Sequence, residues 1–266
     1  MFGRRKIAAL VAEFLGSGVL ILLILSVQRS TIGVPFFVAA AAGLTFAFLT
    51  FVFYRVSGAQ FNPALTIALW TARRLTTIRA ISYVVAQLLG AYAAYYLYTY
   101  LVKNQLEPIG GEFDWRILTA ELVGTALFAL GYSAAAYQRF TIGAAAAVVG
   151  LAYMIGSIAA SPASVGLINP GVALGVKAWV WGTYILGPIL GAIIGVNLYN
   201  LLFAARDSDT TDNAVKGASS LTPKVADKKA VVAPATVTTV KPVRKIKTAT
   251  SAKTRTATKR TTRKKS

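Results

Sequence analysis

The chain contains neither cysteine nor histidine among its 266 residues. Without cysteine there is no disulfide framework and no thiol chemistry. Without histidine the commonest proton shuttle and metal ligand are missing. The two absences argue against an enzyme, and no cofactor, metal or catalytic residue is expected. Acidic side chains are also scarce, with 9 Asp and Glu against 28 Lys and Arg, a formal charge of +19. Charged residues make up only 14% of the chain and hydrophobic ones 56%, well above an ordinary soluble domain. What is present instead is apolar length. Runs at about residues 7–27, 36–54, 80–102, 117–138, 141–161 and 183–205 each reach the ~20 residues that a helix needs to cross a bilayer core. As helices of a soluble protein, six such runs would demand an implausibly large core. The first run follows Arg4, Arg5 and Lys6 as a signal peptide would, but it is long, carries Glu13 and has no convincing small-residue cleavage site after it. It is read as a retained span.

Basic residues orient these spans. Arg4, Arg5 and Lys6 precede the first; Arg55, Arg73, Arg74 and Arg79 surround the connection between the second and third; Arg139 follows the fourth. The opposite loops carry only Arg29, Lys103, Arg116 and Lys177, with Glu107, Glu112 and Asp114 among them. The positive-inside rule then places both termini in the cytoplasm of a multi-pass protein, expected in the plasma or inner membrane. Three spans in each half make the second half inverted relative to the first.

Composition changes abruptly after Ala205. This divides the chain into a membrane domain, 1–205, and a basic tail, 206–266. The tail holds 11 Lys and 5 Arg against 4 Asp, no Phe, Tyr or Trp, and few large apolar side chains. It cannot bury enough surface to offset the entropy of ordering, so a disordered cytoplasmic extension is expected. Attraction to anionic lipid headgroups is the plain reading. Nucleic acid is the alternative partner, disfavoured for single strands by the absence of aromatic side chains that stack on bases.

A short motif occurs twice. Gly58-Ala59-Gln60-Phe61-Asn62-Pro63-Ala64 follows Ala12-Glu13-Phe14-Leu15-Gly16, and Gly166-Leu167-Ile168-Asn169-Pro170-Gly171 follows Ala120-Glu121-Leu122-Val123-Gly124. Glu13 and Asn62 are 49 positions apart, Glu121 and Asn169 48. Matched separations between two uncommon motifs indicate an internal repeat, and in a membrane protein inverted repeats place the site where the halves meet. Asn is a favoured N-cap and Pro fits the first helical position, so each motif reads as a helix start. Asn62 to Trp70 and Asn169 to about Val180 are too short to cross, and read as half-helices starting inside the membrane. Irregular backbone at that depth must line a cavity or pack on protein. Two half-helix N-termini meeting there, each about half an elementary charge and ~5 Å from a cation, would raise its energy by roughly 3 kcal/mol at an effective dielectric of ~20. Free amide donors of Asn62 and Asn169 could hydrogen-bond a passing neutral molecule. Glu13 and Glu121, ionisable groups within spans, are either proton-coupling sites or supports for the loops.

Ser57-Gly58-Ala59-Gln60-Phe61-Asn62-Pro63-Ala64-Leu65-Thr66 closely resembles the first signature of the aquaporin and glycerol-facilitator family. The Glu13 and Glu121 motifs and Ala86-Gln87-Leu88-Leu89-Gly90-Ala91 look like its other landmarks, over about residues 7–203. The resemblance implies an all-α membrane protein with six transmembrane helices, two re-entrant half-helices and an inverted repeat. It further implies a passive channel, usually a homotetramer, in which Glu13 and Glu121 hold the loop backbones. The second signature departs from the family: Val172 stands where an arginine usually lines the narrowest constriction, after Asn169-Pro170-Gly171. Alignment to the family puts Ser157, Gly166 and Ala42 at the other filter positions. These four are small or modest and uncharged, so the filter is expected to be wide, passing water and neutral solutes such as glycerol or urea. The alternative is that an aromatic neighbour, Phe46, Phe48 or Tyr153, refills it. Gly187, Gly191 and Gly195 read as a close-packing helix face. Competing functions are a coupled secondary transporter and a membrane anchor presenting the tail; deleting 206–266 would separate the anchor from a channel.

Overall fold

Every long apolar run becomes one helix in the computed structural model, which describes residues 3–109 and 111–204. The spans are α1 (Arg4–Gln28), α2 (Pro35–Phe53), α4 (Thr77–Val102), α5 (Trp115–Tyr137), α6 (Ile142–Ala160) and a last one made of a π-helical turn (Trp181–Leu186) running into α8 (Gly187–Leu202). Between them lie two short helices, α3 (Pro63–Thr71) and α7 (Pro170–Gly175). No strand occurs among the described residues. The proposed disordered tail, 206–266, lies outside the described residues.

Large apolar side chains point away from the bundle along the spans. In α1, Ile7, Val11, Leu15, Val19 and Leu23 recur every fourth residue and stay exposed; Leu44, Phe48 and Phe51, four and three residues apart, are likewise exposed on α2. The buried faces instead carry Glu13, Ser17, Gln87, Glu121 and Thr125. A bundle with apolar residues outside and polar ones inside suits lipid, where water-exposed apolar surface of this extent would be unfavourable.

The packing shows the repeat directly. α1 packs on α4 and α5 on α8, while α3 packs on α8 and α7 on α4, so each half-helix docks on the last span of the other half. α2 and α6 cross at Gly43 and Gly150: a β-carbon at Gly43 would come within 2.7 Å of the Gly150 carbonyl oxygen, and one at Gly150 within 2.5 Å of the Gly43 oxygen. These glycines occupy equivalent places in the two repeats. A residue that touches its own counterpart lies on the axis relating the halves, and only residues without a β-carbon permit that approach. On α8, Gly187, Gly191 and Gly195 face the carbonyls of Leu118, Leu122 and Ala126 on α5.

The half-helices are capped as Asn-Pro dictates. The Asn62 side-chain oxygen accepts from the N–H groups of Ala64 (2.9 Å) and Leu65 (3.4 Å), and that of Asn169 from Gly171 (2.8 Å) and Val172 (3.4 Å). Pro63 and Pro170, next in sequence, have no N–H to leave unpaired there. α7 stops at Gly175, earlier than the expected Val180, because Lys177 turns left-handed (φ 61) and the Ala178 N–H bonds back to the Ala173 carbonyl. α3 ends the same way, with Arg73 left-handed (φ 57) and Arg74 N–H on the Leu69 carbonyl.

Candidate functional site

The two loops entering the half-helices are extended and partly left-handed. Gly58 (φ 98), Ala59 (φ 55) and Phe61 (φ 45) precede Asn62; Gly166 (φ 66) and Ile168 (φ 44) precede Asn169. A left-handed Ile is a backbone outlier, kept only when its surroundings over-determine it. The buried glutamates supply that constraint. Glu13 accepts from the N–H groups of Gln60 (3.1 Å) and Phe61 (2.8 Å), one on each carboxylate oxygen, and from the Gln87 amide (2.8 Å). Glu121 accepts from Leu167 N–H (2.9 Å) and Ile168 N–H (2.6 Å), and from the Ser164 hydroxyl. Neither carboxylate has any exposure. With their oxygens engaged by consecutive N–H groups, both side chains act on the loop backbone.

The loops meet through their asparagines. Asn62 Nδ2 donates to the Ile168 carbonyl and Asn169 Nδ2 to the Phe61 carbonyl, both at 2.9 Å. Each asparagine therefore bonds the residue just before the other. A β-carbon at Gly171 would lie 3.4 Å from Pro63 Cδ, so the two helix starts touch. The sequence led us to expect free asparagine donors; one proton of each amide is committed across the interface, leaving one.

The four filter positions are distributed over three helices and one loop. Ala42 is on α2, Ser157 on α6, Gly166 in the second loop and Val172 in the first turn of α7. The structure brings Ser157 and Gly166 together: the Ser157 hydroxyl donates to the Gly166 carbonyl at 2.6 Å. Val172 and Ala42 are buried at 0% and 2% exposure. Phe48 is 63% exposed and points away. Phe46 and Tyr153 point inward, stacked with ring centroids 5.0 Å apart.

Several residues that hold this site were not singled out in the sequence. Gln87 ties α4 to the first loop through Glu13 and Thr66. Thr66 donates to the Gln60 side chain (2.8 Å), fixing the residue beside the asparagine motif. Arg79 and Tyr83 both donate to the Ser57 carbonyl at 3.0 Å, anchoring the loop's start. On α5, Phe128 packs against Phe46 of α2, and Tyr132 donates to the Gly58 carbonyl at 2.7 Å. Gln87 lay in a quoted landmark, and a polar residue on an apolar span is a signal that could have marked it. The aromatic pair on α5 had no comparable signal.

The sequence model of the major intrinsic protein family matches residues 4–199. Aquaporin Z of Photorhabdus laumondii subsp. laumondii is 28% identical over 227 residues, covering 74% of this chain and 98% of that protein. A probable aquaporin AqpM of Archaeoglobus fulgidus is 32% identical over 193 residues, covering 63% of this chain and 76% of its own length. Among solved structures, the aquaglyceroporin of Plasmodium falciparum superposes with a TM-score of 0.61 at 20% identity, covering 74% of this chain and 96% of that one. At that identity the last match speaks to the fold alone.

Proposed function

The chain belongs to the major intrinsic protein family, a multi-pass membrane channel for water or small solutes, and we propose that it conducts water and small neutral solutes of glycerol or urea size passively along the seam between its repeats. The observation that carries this reading is the reciprocal pair of bonds joining Asn62 to Ile168 and Asn169 to Phe61. It sets two half-helix N-termini face to face where the two irregular loops enter the bundle. Asn62, Pro63 and Ala64 with Asn169, Pro170 and Gly171 form the centre of this passage. Ala42, Ser157, Gly166 and Val172 form its outer filter, without the fixed charge that an arginine would bring. The name of one relative, Aquaporin Z, accords with water as a permeant.

A coupled transporter needs a titratable or ion-binding centre able to change partners. The two intramembrane carboxylates are committed to backbone N–H groups of the loops, which favours a passive channel. Cytoplasmic termini, on the basic-residue distribution, and homotetrameric assembly, on the family resemblance, belong to the same proposal.

Osmotic shrinkage of proteoliposomes, followed by stopped-flow light scattering, tests it. Fast shrinkage in sucrose and reswelling in glycerol, both above empty liposomes, are expected. Shrinkage without reswelling would remove glycerol-sized solutes from the proposal, and folded protein with no acceleration in either osmolyte would overturn the channel.

A further inference from the structure

One helical turn inward from the filter, the passage is filled. Phe46 lies four residues after Ala42 on α2, and Tyr153 four residues before Ser157 on α6, so each continues the helix face that carries a filter residue. Their rings stack at 5.0 Å and 28°. Phe128 of α5 packs edge-on against both, at 5.2 Å from Phe46 and 5.0 Å from Tyr153, and Phe61 joins Phe46 at 5.6 Å. All four rings are at most 1% exposed, and the side chains of Asn62 and Asn169 have no exposure. A water-sized sphere therefore reaches neither asparagine while the rings hold this arrangement.

The hydroxyl of Tyr153 makes the filling specific. It donates to the Leu167 carbonyl at 3.0 Å, in the loop that leads into Asn169. A loop carbonyl is the acceptor that a permeating water or alcohol would use at that depth. Tyr153 thus holds, on a tether, the place of the permeating hydroxyl.

We propose that the ring of Tyr153, packed on Phe46 and Phe128, is the size-limiting barrier of this channel, deeper than the filter formed by Ala42, Ser157, Gly166 and Val172. The inference rests on the channel reading above. Small excursions of the ring admit water, which then exchanges with the phenol at Leu167. A glycerol-sized molecule requires the ring to leave its stack. The outer filter sets an upper bound that this barrier prevents the channel from reaching.

The test measures water and glycerol flux side by side in proteoliposomes bearing the wild type, Tyr153→Val, Tyr153→Phe and Tyr153→Cys. Tyr153→Val is expected to raise glycerol flux at least tenfold and water flux less, while Tyr153→Phe, which keeps the ring, leaves glycerol flux near wild type. Because the chain has no other cysteine, Tyr153→Cys can be treated with benzyl methanethiosulfonate, which restores an aromatic group and should return glycerol flux to the wild-type level. Wild-type water flux with glycerol flux unchanged in both Tyr153→Val and Tyr153→Cys overturns the barrier and leaves the channel standing. Folded wild type and folded variants that all match empty liposomes overturn the channel itself. A misfolded Tyr153→Val leaves the decision to the reversible block in Tyr153→Cys.

Discussion

Replacing Glu121 by alanine removes the acceptors of two buried backbone donors, Leu167 N–H and Ile168 N–H, together with the partner of the Ser164 hydroxyl. Each buried donor left without a partner costs about 1–3 kcal/mol, or about 2–6 kcal/mol for the two. The same carboxylate holds Ile168 at φ 44, a conformation that itself stores about 1–3 kcal/mol. Once the bonds are gone, the loop gains by relaxing Ile168 and turning its N–H groups elsewhere. Stability should therefore fall by only about 1–3 kcal/mol net. By the scaling of soluble domains of this size, that is a drop in apparent Tm of about 2–12 °C. Relaxation, however, moves the Ile168 carbonyl away from Asn62 Nδ2 and dissolves the asparagine pairing. Water flux in proteoliposomes should fall to the empty-liposome rate although most of the fold survives. Glu121→Gln keeps one acceptor oxygen and should lose about half as much stability, with intermediate flux. A folded Glu121→Ala protein that retains wild-type water flux would refute the assignment of this side chain to loop support.

Two further outcomes test the filter and the crossing of the halves. Val172→Arg places a cation in the first turn of α7, at a residue with no exposure, and in the Tyr153→Val background, where the deeper ring no longer limits flux, should cut glycerol flux at least tenfold; unchanged flux there would count against Val172 as a filter residue. Gly150→Leu sets a side chain against the Gly43 carbonyl on the axis between the repeats. Overpacking of this kind costs about 1–3 kcal/mol or more, so a lower Tm and loss of monodispersity are expected, whereas Leu44→Ala on the lipid-facing side of α2 should change neither.

The elements that could be read from the sequence are those specified by local chemistry. An apolar run of bilayer length has one favourable conformation in lipid, so all six spans were legible, and Asn followed by Pro specifies a helix start within four residues. The repeat was legible because its two motifs keep nearly the same separation. The unread parts depend on which faces meet. Phe46 and Tyr153 were expected, alongside Phe48, as candidates to refill the filter, but their stack with Phe128 joins three different helices and forms only where α2 crosses α6 at the glycine pair. In an apolar chain rich in aromatic residues, nothing in their own neighbourhoods distinguishes them from Phe48, which faces outward. The early end of α7 was hidden for a related reason. The left-handed residue that terminates it is Lys177 rather than the glycine that usually marks such a turn.

Cation exclusion is the last property that the geometry quantifies. With valine at position 172 it falls to the half-helix ends, of which the second is shorter than the sequence suggested. α3 has nine residues and α7 six, about 14 Å and 9 Å of helix. The positive end of each raises a cation ~5 Å away by about 1.7 kcal/mol at an effective dielectric of ~20, but the negative ends return about 0.4 and 0.6 kcal/mol. The sum is about 2.3 kcal/mol, roughly a fiftyfold exclusion. A single negative charge at the same distance contributes about −3.3 kcal/mol and reverses the sign. Asn169→Asp can still cap α7, since the oxygen that accepts from Gly171 and Val172 is retained, while its bond to the Phe61 carbonyl is lost. Asn169→Asp proteoliposomes should take up sodium or potassium faster than wild type, with water flux still above empty liposomes. If the variant conducts water but admits cations no faster than wild type, the barrier to ions is not the field of the half-helices, and dehydration at the aromatic stack must supply it.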